Sequence, residues 1–299
     1  MNRKIIVIGS SNTDMTIRGQ RLPVPGETVT GGTFYMGPGG KGANQAVAAR
    51  RLGGDVTFIC KVGRDLFGDN ALAGYEREGI DVSHALRSDK ASGTALILVD
   101  EHGENCISVA SGANADLSPA DIESVADVIR SAGFLILQLE TPVESVLRAA
   151  QIAAEAGVTV ILNPAPAREV PRELFRYVSL MTPNQTETAF MSGLPVGNEE
   201  ELARAVEALH GYGVRDFVVT LGSKGALVVS DGHSIHIPAC KVKAVDATAA
   251  GDTFCGALCV ALSEGQTLEE AARFATRAAA LTVQRPGAQD AIPYRHEIQ

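Results

Sequence analysis

The sequence predicts an α/β fold of three layers, with helices on both faces of a mostly parallel central sheet. Three observations support this prediction. Short β-branched runs alternate along the chain with longer amphipathic runs, and such alternation gives parallel strands joined by right-handed helical crossovers. The strand runs are apolar throughout, which is typical of strands covered on both faces. The chain has 299 residues, 45% of them hydrophobic, which is enough for one large domain around a shared core.

The elements follow in order along the chain. The predicted strands are short apolar runs at residues 5–8, 56–62, 134–139, 158–162, 179–182, 217–221 and 226–229. The predicted helices are longer amphipathic runs at residues 43–52, 69–78, 120–130, 144–156, 199–212, 253–264 and 268–284. Ser118 and Pro119 precede one helix and Thr267 precedes another, as residue types favoured at helix starts. No repeat or linker divides the chain, so we expect one domain over residues 1–299.

Two segments, at about residues 13–39 and 92–112, interrupt the alternation. The first has strand-like runs at 15–18 and 28–36 and no helix. The second is typical of a hairpin, with strands at 94–99 and 105–109 around a turn at 100–103. Two such segments can form a small sheet of their own. The run 94–99 is apolar on both faces, so we expect this sheet to be covered by self-association.

Composition excludes several classes of function. The formal net charge of −9 argues against a nucleic acid or an anionic membrane as partner. No stretch approaches the roughly 18 to 20 consecutive apolar residues of a membrane span, and the chain enters its first strand without the layout of a signal peptide. The five cysteines have the spacing of neither a zinc site nor a disulfide framework. We therefore expect a protein of the reducing cytoplasm.

The run DATAAGDTF, from Asp246 to Phe254, lies directly before a predicted helix. Its small residues allow close approach to the backbone, and the free N–H groups at a helix start attract anions. Asp252 would stand beside such an anion, where a carboxylate can take a proton from an attacking hydroxyl. An acidic residue in a first turn is also an ordinary helix-start signal, so this motif alone leaves both interpretations open.

A second motif, GPGGKGANQA at residues 37–46, precedes the first predicted helix. Its glycines permit positive φ angles and close approach of a ligand, while Lys41 and Asn44 add a charge and an amide at the same turn. It is not a Walker A loop, because Gly42 follows Lys41 where Ser or Thr is required. The run after the first strand does not fit the dinucleotide-binding fingerprint either.

Together the two motifs resemble the two signatures of the ribokinase family, the PfkB-type carbohydrate kinases, at residues 39–63 and 246–258. The resemblance extends through segments at 9–14, 25–29, 138–140, 163–168, 182–187 and 287–289. It implies a ribokinase-like α/β/α fold in which the small sheet is a lid over the sugar and often the dimer contact. The implied reaction is phosphorylation of D-ribose at O5 by ATP with Mg²⁺, giving D-ribose 5-phosphate and ADP.

The resemblance also assigns roles to residues. Asp252 is the implied catalytic base, and the implied donors to the transferring phosphoryl group are the backbone N–H groups of Ala249, Ala250, Gly251 and Asp252. The positions that match sugar contacts are Asn12, Asp14, Gly40, Lys41, Asn44 and Glu140, together with Asp252. Asn12 and Asp14 follow the first strand, where parallel sheets bind ligands, but both are also common turn residues. Glu140 ends a strand and can also be a helix-entry acid.

For the nucleotide, the matching positions are Asn184, Glu187, Thr220, Gly222, Gly225, Gly251 and Thr276. Asn184 and Glu187 are three residues apart at a helix start, so they share one face. In the family this pair positions Mg²⁺, with Glu187 acting through water, although the same spacing is a capping box. Gly222 and Gly225 can also be ordinary turn glycines, and Thr276 stands where Asn or His is more usual.

The family also binds K⁺ near the phosphoryl site, mostly through backbone carbonyls. The matching positions are Asp246, Thr248, Thr282, Arg285, Gly287 and Ala291. Two residues depart from the family pattern, since Ala247 replaces a Thr, Ser, Pro or Val and Ala291 stands where a Ser hydroxyl is common. A missing oxygen would weaken the cation site or leave one ligand to water. The resemblance still implies activation by K⁺.

Two alternatives remain open. One is a kinase of another sugar or of a nucleoside. A phosphosugar calls for further Lys or Arg beside Lys41, and a nucleoside calls for an aromatic slot, whereas aromatic residues are 5% of the chain. The other is a catalytically inactive sugar-binding sensor, which has no need of Asp252 and an anion site. The expected partners are D-ribose, ATP and a second copy of the chain, bound through the small sheet.

Overall fold

The structure, a computed structural model, describes residues 4–298, so the predicted domain limits at 1 and 299 lie outside the described residues. The strands within this range, β1 to β14 in chain order, are Ile5–Ile8, Asn12–Arg18, Thr33–Gly39, Val56–Ile59, Lys61–Gly63, Leu86–Ser88, Gly93–Val99, Asn105–Ala110, Phe134–Leu137, Thr159–Leu162, Leu180–Met181, Asp216–Thr220, Ala226–Ser230 and His233–Ile237. The helices, α1 to α9, are Lys41–Arg51, Leu66–Arg77, Pro119–Ser124, Ala126–Arg130, Val143–Glu155, Gln185–Ser192, Glu199–Gly211, Ala250–Ser263 and Leu268–Thr282. None of these helices combines the length and the apolar character needed to cross a membrane.

The main sheet confirms the predicted three-layer α/β architecture. Its strand order is β14-β13-β12-β11-β10-β9-β1-β4, with parallel pairing from β4 to β12 and antiparallel pairing of β13 and β14 at one edge. Side chains alternate between two cores. In β1, Ile5 and Val7 belong to the core with α1, α8 and α9, whereas Ile6 and Ile8 belong to the core with α3, α4, α5 and α7. Each fully buried branched side chain contributes about 1.5–3 kcal/mol, so β1 favours helices on both faces.

Helices α1 and α8 pack closely because their contact is built from small side chains. A Cβ added to Gly256 of α8 would come within 2.8 Å of the Ala48 Cβ and the Gln45 carbonyl oxygen, both on α1. Glycine is therefore required at this contact. The close packing brings the first turns of the two helices together at the carboxyl edge of the sheet, where ligands bind in folds of this kind.

A separate four-stranded sheet, here called the small sheet, consists of β3, β2, β7 and β8 in that order. β2 pairs parallel with β7 and antiparallel with β3, and β7 pairs antiparallel with β8. Its existence confirms the prediction from the two helix-free segments, although β2 begins at Asn12, earlier than the predicted run at 15–18. Large apolar side chains remain partly exposed on this sheet: Ile17, Phe34, Tyr35, Met36, Leu96, Ile107 and Val109.

Several elements differ from the sequence prediction, including β6, which is not among the predicted strands, and β3, which is Thr33–Gly39 where 28–36 is predicted. The run 56–62 is split, since β4 joins the main sheet and β5 pairs with β6 in a two-stranded sheet, where Lys61 forms an ion pair with Asp121 at 2.8 Å. The helix predicted at 120–130 breaks at Val125, whose φ of −114° and ψ of 12° depart from helical values while its side chain is buried. β14 is absent from the predicted strands, although Asp231 and Gly232 form a two-residue turn between the paired Ser230 and His233, which is a hairpin signal.

Candidate active site

The predicted catalytic residue, Asp252, is buried in the first turn of α8 and is held by two amides of α1. Asn44 Nδ2 donates to Asp252 Oδ2 and Gln45 Nε2 donates to Asp252 Oδ1, each at 3.0 Å. Burial raises the pKa of the Asp252 carboxyl, although the charge of Lys41 and the two amide donors oppose the increase. A carboxylate whose pKa is raised while both oxygens stay oriented is suited to accept a proton.

The turn before α8 presents backbone N–H groups. Ala249 is the N-cap and has a left-handed conformation with φ of 59°, which is strained for a residue other than glycine. The Asp246 carboxylate braces the turn by accepting from the Thr248 N–H at 2.9 Å and the Thr248 hydroxyl at 2.6 Å. Ala250 N–H donates to the Ala247 carbonyl at 3.2 Å, so one of the four predicted donors is used within the turn. The first N–H groups of a helix lack intrahelical acceptors, and a helix of 14 residues presents them as an anion site.

The residues predicted to bind sugar converge on the same edge of the sheet. Glu140 accepts from the Lys41 backbone N–H at 2.9 Å and from the Ser10 hydroxyl at 2.5 Å, which joins the loop after β9 to the start of α1. Gly40 has φ of 91°, and a Cβ there would lie 2.9 Å from the Asn12 backbone nitrogen. Glycine alone permits this approach of the loop to β2.

Lys41 and the nearby carboxylates form the charged centre of the site. Burial alone would lower the pKa of the Lys41 ammonium. The negative charges of three carboxylates outweigh the effect of burial and raise this pKa. These carboxylates belong to Asp252, Glu140 and Glu187. Burial, and then the charge of Glu140, raise the pKa of Asp14 to about 6. Lys41 therefore stays protonated, whereas Asp14 changes its charge near neutral pH.

Asp14→Asn is expected to raise the Tm at pH 8 and to leave it nearly unchanged near pH 4. The pKa of Asp14 is raised from 3.8 to about 6 in the folded state, so the native state binds this proton more tightly than the unfolded chain does. The resulting stability is present below pH 4 and is lost as the pH rises through 6. The amide has no proton to lose and avoids that loss. Thermal unfolding at both pH values tests this, and an equal Tm difference at the two would contradict it.

Further buried amides, which no sequence motif marks as functional, surround the carboxylate of Asp252. Gln45 Nε2 also donates to Asn163 Oδ1 at 3.0 Å, and Gln138 Nε2 donates to Gln45 Oε1 at 2.7 Å. On the other side, Gln289 Nε2 donates to Asn44 Oδ1 at 3.2 Å. The sequence signal for these residues is that each amide lies in a segment that resembles the family. The sequence did not show that these segments meet.

The spacing of Asn184 and Glu187 is compatible both with metal binding and with a capping box, and the structure shows that they form a capping box. Glu187 N–H donates to Asn184 Oδ1, and Asn184 N–H donates to Glu187 Oε2, both at 2.8 Å. Burial raises the pKa of Glu187, and the nearby charge of Asp252 acts in the same direction. The cap uses one carboxylate oxygen, which leaves Glu187 Oε1 for another partner near Asp252.

The loop between β12 and β13 lies next to this cap. Thr220 forms a β-bridge with Asn184. Gly225 has φ of 99°, and a Cβ there would lie 2.0 Å from the last carbonyl oxygen of β14, whereas a Cβ on Gly222 would meet no atom within 4 Å. The turn itself thus requires Gly225, while Gly222 borders open space. Thr276 of α9 is buried, and its hydroxyl donates to a carbonyl of its own helix at 2.8 Å, which leaves its oxygen lone pairs for a ligand.

Hydrogen bonds connect several of the predicted cation positions. Asp246 Oδ2 accepts from the Gly287 N–H at 3.0 Å, which ties the turn before α8 to the loop after α9. The Thr282 hydroxyl donates to a hydroxyl of α8 at 3.0 Å, Arg285 pairs with a carboxylate near the C-terminus, and Ala291 is fully buried. No three His, Cys, Asp or Glu side chains within residues 4–298 cluster as a metal site.

The chain resembles known carbohydrate kinases over nearly its full length. Residues 2–295 match the model of the pfkB family carbohydrate kinases. The chain is 42% identical to the ribokinase of Haemophilus influenzae over 99% of this chain and 97% of that protein. It is 36% identical to the deoxyribokinase of Salmonella typhi over 97% of this chain and 95% of that protein. The solved structure of Arabidopsis thaliana ribokinase complexed with ribose and ATP has a TM-score of 0.92 at 33% identity and covers 100% of this chain and 98% of its own.

Proposed function

Because this chain belongs to the pfkB family of carbohydrate kinases and is an ATP-dependent sugar kinase, we propose that it transfers the γ-phosphoryl group of ATP to O5 of D-ribose. The products are D-ribose 5-phosphate and ADP. The observation that carries the proposal is the carboxylate of Asp252, oriented by two amides at the anion-binding turn of α8. The choice of ribose is supported by the relatives, which include the Arabidopsis ribokinase complexed with ribose and ATP.

In the proposed reaction, Asp252 accepts the proton of the sugar hydroxyl as that oxygen attacks the γ-phosphorus. Asn44 and Gln45 hold the two carboxylate oxygens, so the base is in position before the sugar arrives. Its raised pKa makes it a better proton acceptor than an ordinary carboxylate. The free N–H groups at the start of α8 and the ammonium of Lys41 stabilise the charge on the transferring phosphoryl group.

The sugar lies between β2 of the small sheet and the carboxyl edge of the main sheet. Its ligands are Asn12, Asp14, Gly40, Lys41, Asn44 and Glu140, with Asp252 at the reacting hydroxyl. Amides and carboxylates bind hydroxyl groups as donors and acceptors, and Lys41 is the single cation in this set. Such a set favours a neutral sugar over a phosphorylated one.

Glu187 would bind Mg²⁺ through water, because its carboxylate is buried beside the catalytic residues and keeps one oxygen outside the cap with Asn184. Bound there with ATP, Mg²⁺ supplies positive charge that neutralises the phosphates. The proposed nucleotide contacts are Asn184, Glu187, Thr220, Gly222, Gly225, Gly251 and Thr276. These positions lie at the starts of α6 and α8, at the end of β12 and in the loop that follows it, and on α9.

Release of ADP, measured with Mg·ATP and K⁺, tests the proposed function across D-ribose, 2-deoxyribose, fructose, fructose 6-phosphate and adenosine. The highest kcat/KM is expected for D-ribose. A preference for 2-deoxyribose would favour a second candidate, a deoxyribokinase, which the relative at 36% identity supports. Turnover of another acceptor would overturn the sugar assignment and keep the chemistry of Asp252. Sugar binding without turnover of any acceptor would indicate a sensor instead.

K⁺ is a second proposed cofactor, held mostly by backbone carbonyls at Asp246, Thr248, Thr282, Arg285, Gly287 and Ala291. Replacing K⁺ by tetramethylammonium at constant ionic strength is expected to lower kcat about tenfold, because a cation beside the anion site stabilises the phosphoryl charge. Steady-state rates in the two salts measure this effect. Equal rates in both salts would contradict the proposal.

The small sheet is proposed as the lid over the sugar, at about residues 13–39 and 92–112, and as the contact of a homodimer. Asn12 and Asp14 stand on β2, so this sheet carries two proposed sugar ligands. The Tyr35 hydroxyl donates to Asp290, which connects β3 to the main body. The partly exposed apolar side chains of the sheet are suited to burial against a second copy.

Ile107→Lys is expected to convert the proposed dimer to monomers, because it places a charge on the partly exposed apolar surface of the small sheet. Ile107 is 58% exposed on β8, so a lysine there costs little in an isolated subunit and is unfavourable in a buried interface. Light scattering coupled to size-exclusion chromatography measures the mass. His102→Lys, in the turn before β8, is the control and should stay dimeric. A dimer with Ile107→Lys would contradict this interface.

A cytoplasmic location is proposed from the cysteines. All five lie within the described residues 4–298 and are free thiols, namely Cys60, Cys106, Cys240, Cys255 and Cys259. Two of them are exposed, and exposed free thiols persist in a reducing compartment.

A further inference from the structure

Asn114 lies at the base of the small sheet, where the chain returns from β8 to the main body, and it forms two hydrogen bonds with the backbone of Ser11. Asn114 Oδ1 accepts from the Ser11 N–H at 2.9 Å, and Asn114 Nδ2 donates to the Ser11 carbonyl at 3.1 Å. A backbone N–H only donates and a carbonyl only accepts, so these two bonds decide which end of the Asn114 amide is the oxygen. Asn114 is 2% exposed and cannot exchange these partners for water.

The orientation of Asn114 decides that of Asn12. Asn114 Nδ2 also lies 2.7 Å from the Asn12 side chain, and the atom that faces this donor is the acceptor Asn12 Oδ1. Asn12 Nδ2, at the other end of the same amide, is turned away from Asn114. Asn12 is itself buried, so a ligand beside it meets a side chain whose donor and acceptor ends are already assigned.

The backbone around this hydrogen bond is packed so closely that it has no space for a side chain at Gly93. Gly93 of β7 pairs with Asn12 of β2, and a Cβ on Gly93 would lie 2.2 Å from Asn114 Nδ2 and 2.3 Å from Asn12 Oδ1. Gly112 has φ of 49°, and a Cβ there would lie 2.2 Å from the Ala91 carbonyl oxygen. The start of β7 is therefore packed against the Asn12–Asn114 bond, and the segment after β8 is packed against the residues that precede β7.

We propose that Asn114 is a positioning residue that fixes Asn12 with its N–H donors towards the sugar and its carbonyl away from it. This inference rests on the proposed role of Asn12 in sugar binding. Asp14 lies two residues further along β2, on the same face of the strand, and an ionised carboxylate only accepts. A sugar hydroxyl has one proton, so once it donates to a carboxylate it can bond to Asn12 only by accepting. An Asn12 amide turned the other way would lose that bond.

Asn114→Asp tests this role, because the side chain keeps its size and can still accept from Ser11 N–H but, when ionised, cannot donate to Asn12. Asn12 is then expected to turn its NH₂ group to the new carboxylate and its carbonyl to the sugar. The Kd for D-ribose, measured by titration calorimetry, and the KM for D-ribose should rise about tenfold, the size of one lost hydrogen bond. The KM for ATP and kcat should change less than about twofold, because Asn114 touches neither the base nor the nucleotide.

Ser145→Ala is the matched control for a structural effect. The Ser145 hydroxyl is also buried and donates to the carbonyl of Leu117, three residues after Asn114, at 2.7 Å. Loss of this hydrogen bond lowers stability without changing the surroundings of Asn12. This variant should bind D-ribose as the wild type does. In an Asn12→Ala background, Asn114→Asp should change the Kd for D-ribose less than about twofold, because the Asn12 amide through which Asn114 acts on the sugar is absent.

Three results would overturn the proposal: a wild-type Kd for the sugar in Asn114→Asp, a tenfold rise of that Kd in the Asn12→Ala background as well, or an equal loss in the KM values for sugar and ATP. The acceptor panel with the wild-type protein separates this inference from the proposed function. If another acceptor is preferred, the ribose assignment fails, and the titrations with that acceptor still decide the role of Asn114.

Discussion

Asp252→Asn is expected to lower kcat about a thousandfold while the sugar still binds. The amide cannot accept the proton that leaves the attacking hydroxyl, and a positioned base contributes roughly 10²–10⁴ to such a step. Its NH₂ group would also face one of the two donors, Asn44 Nδ2 or Gln45 Nε2, that now bind the carboxylate oxygens at 3.0 Å. Release of ADP measures kcat, and titration calorimetry with D-ribose measures the binding that should remain.

The control is Asp127→Asn, which also removes an acidic residue from the first turn of a helix. Asp127 is in the first turn of α4, is exposed, and pairs with Arg130 at 2.8 Å. Its substitution changes the charge at a helix start without touching the proposed site, so kcat should equal that of the wild type. If Asp252→Asn retained more than a tenth of wild-type kcat, Asp252 would be a helix-start acid and the proposed mechanism would fail.

Gly251→Ala is expected to lower kcat about a hundredfold without lowering stability. A Cβ on Gly251 would meet no protein atom within 4 Å, and alanine is about 1 kcal/mol more favourable than glycine in a helix. The new methyl group would occupy the open space at the start of α8, where the phosphoryl group has to approach the N–H donors. Loss of one such donor interaction costs roughly 10²–10³ in kcat. The kcat and the Tm of the same preparation measure both effects.

Gly256→Ala, five residues further along α8, is the matched comparison. Its Cβ would come within 2.8 Å of Ala48 and Gln45 of α1, and such overpacking lowers the free energy of unfolding by about 1–3 kcal/mol. The two substitutions should thus separate activity from stability on one helix. If Gly251→Ala also lost stability and kept its kcat, the open space beside Gly251 would not be the phosphoryl site.

The main fold could be predicted because it depends on local patterns. β1 consists of four branched apolar residues, and such a run is stable only between two apolar layers, which the two cores of Ile5, Ile6, Val7 and Ile8 confirm. Local patterns do not predict where a strand ends when its end depends on which other strand it pairs with. The run 56–62 looks like one strand, but from Lys61 onward it pairs with β6 instead of β1, and no local property of the run shows this change of partner.

The candidate site could be predicted only in part. Asp252 and Asn44 stand beside small-residue turns at helix starts, and local backbone rules indicate a ligand there. Gln45 belongs to the same motif, but nothing local shows that it binds one oxygen of the Asp252 carboxylate from 207 residues away in the chain. Asn114 is likewise 103 residues from Ser11. Hydrogen bonds over such separations depend on how the elements pack and leave no periodic signal.

The sequence by itself determined the α/β class, the small sheet and the two motifs at helix starts, because hydrophobic periodicity and glycine-rich turns are properties of neighbouring residues. The tertiary structure alone decided which amides bind the Asp252 carboxylate, that the capping box of Asn184 and Glu187 lies near it, and that Asn114 donates to Asn12. The physical reason is that burial, pKa and the direction of a side-chain amide are determined by surroundings assembled from distant segments. At this site those surroundings exist only once α1 packs against α8 and the small sheet joins the main body.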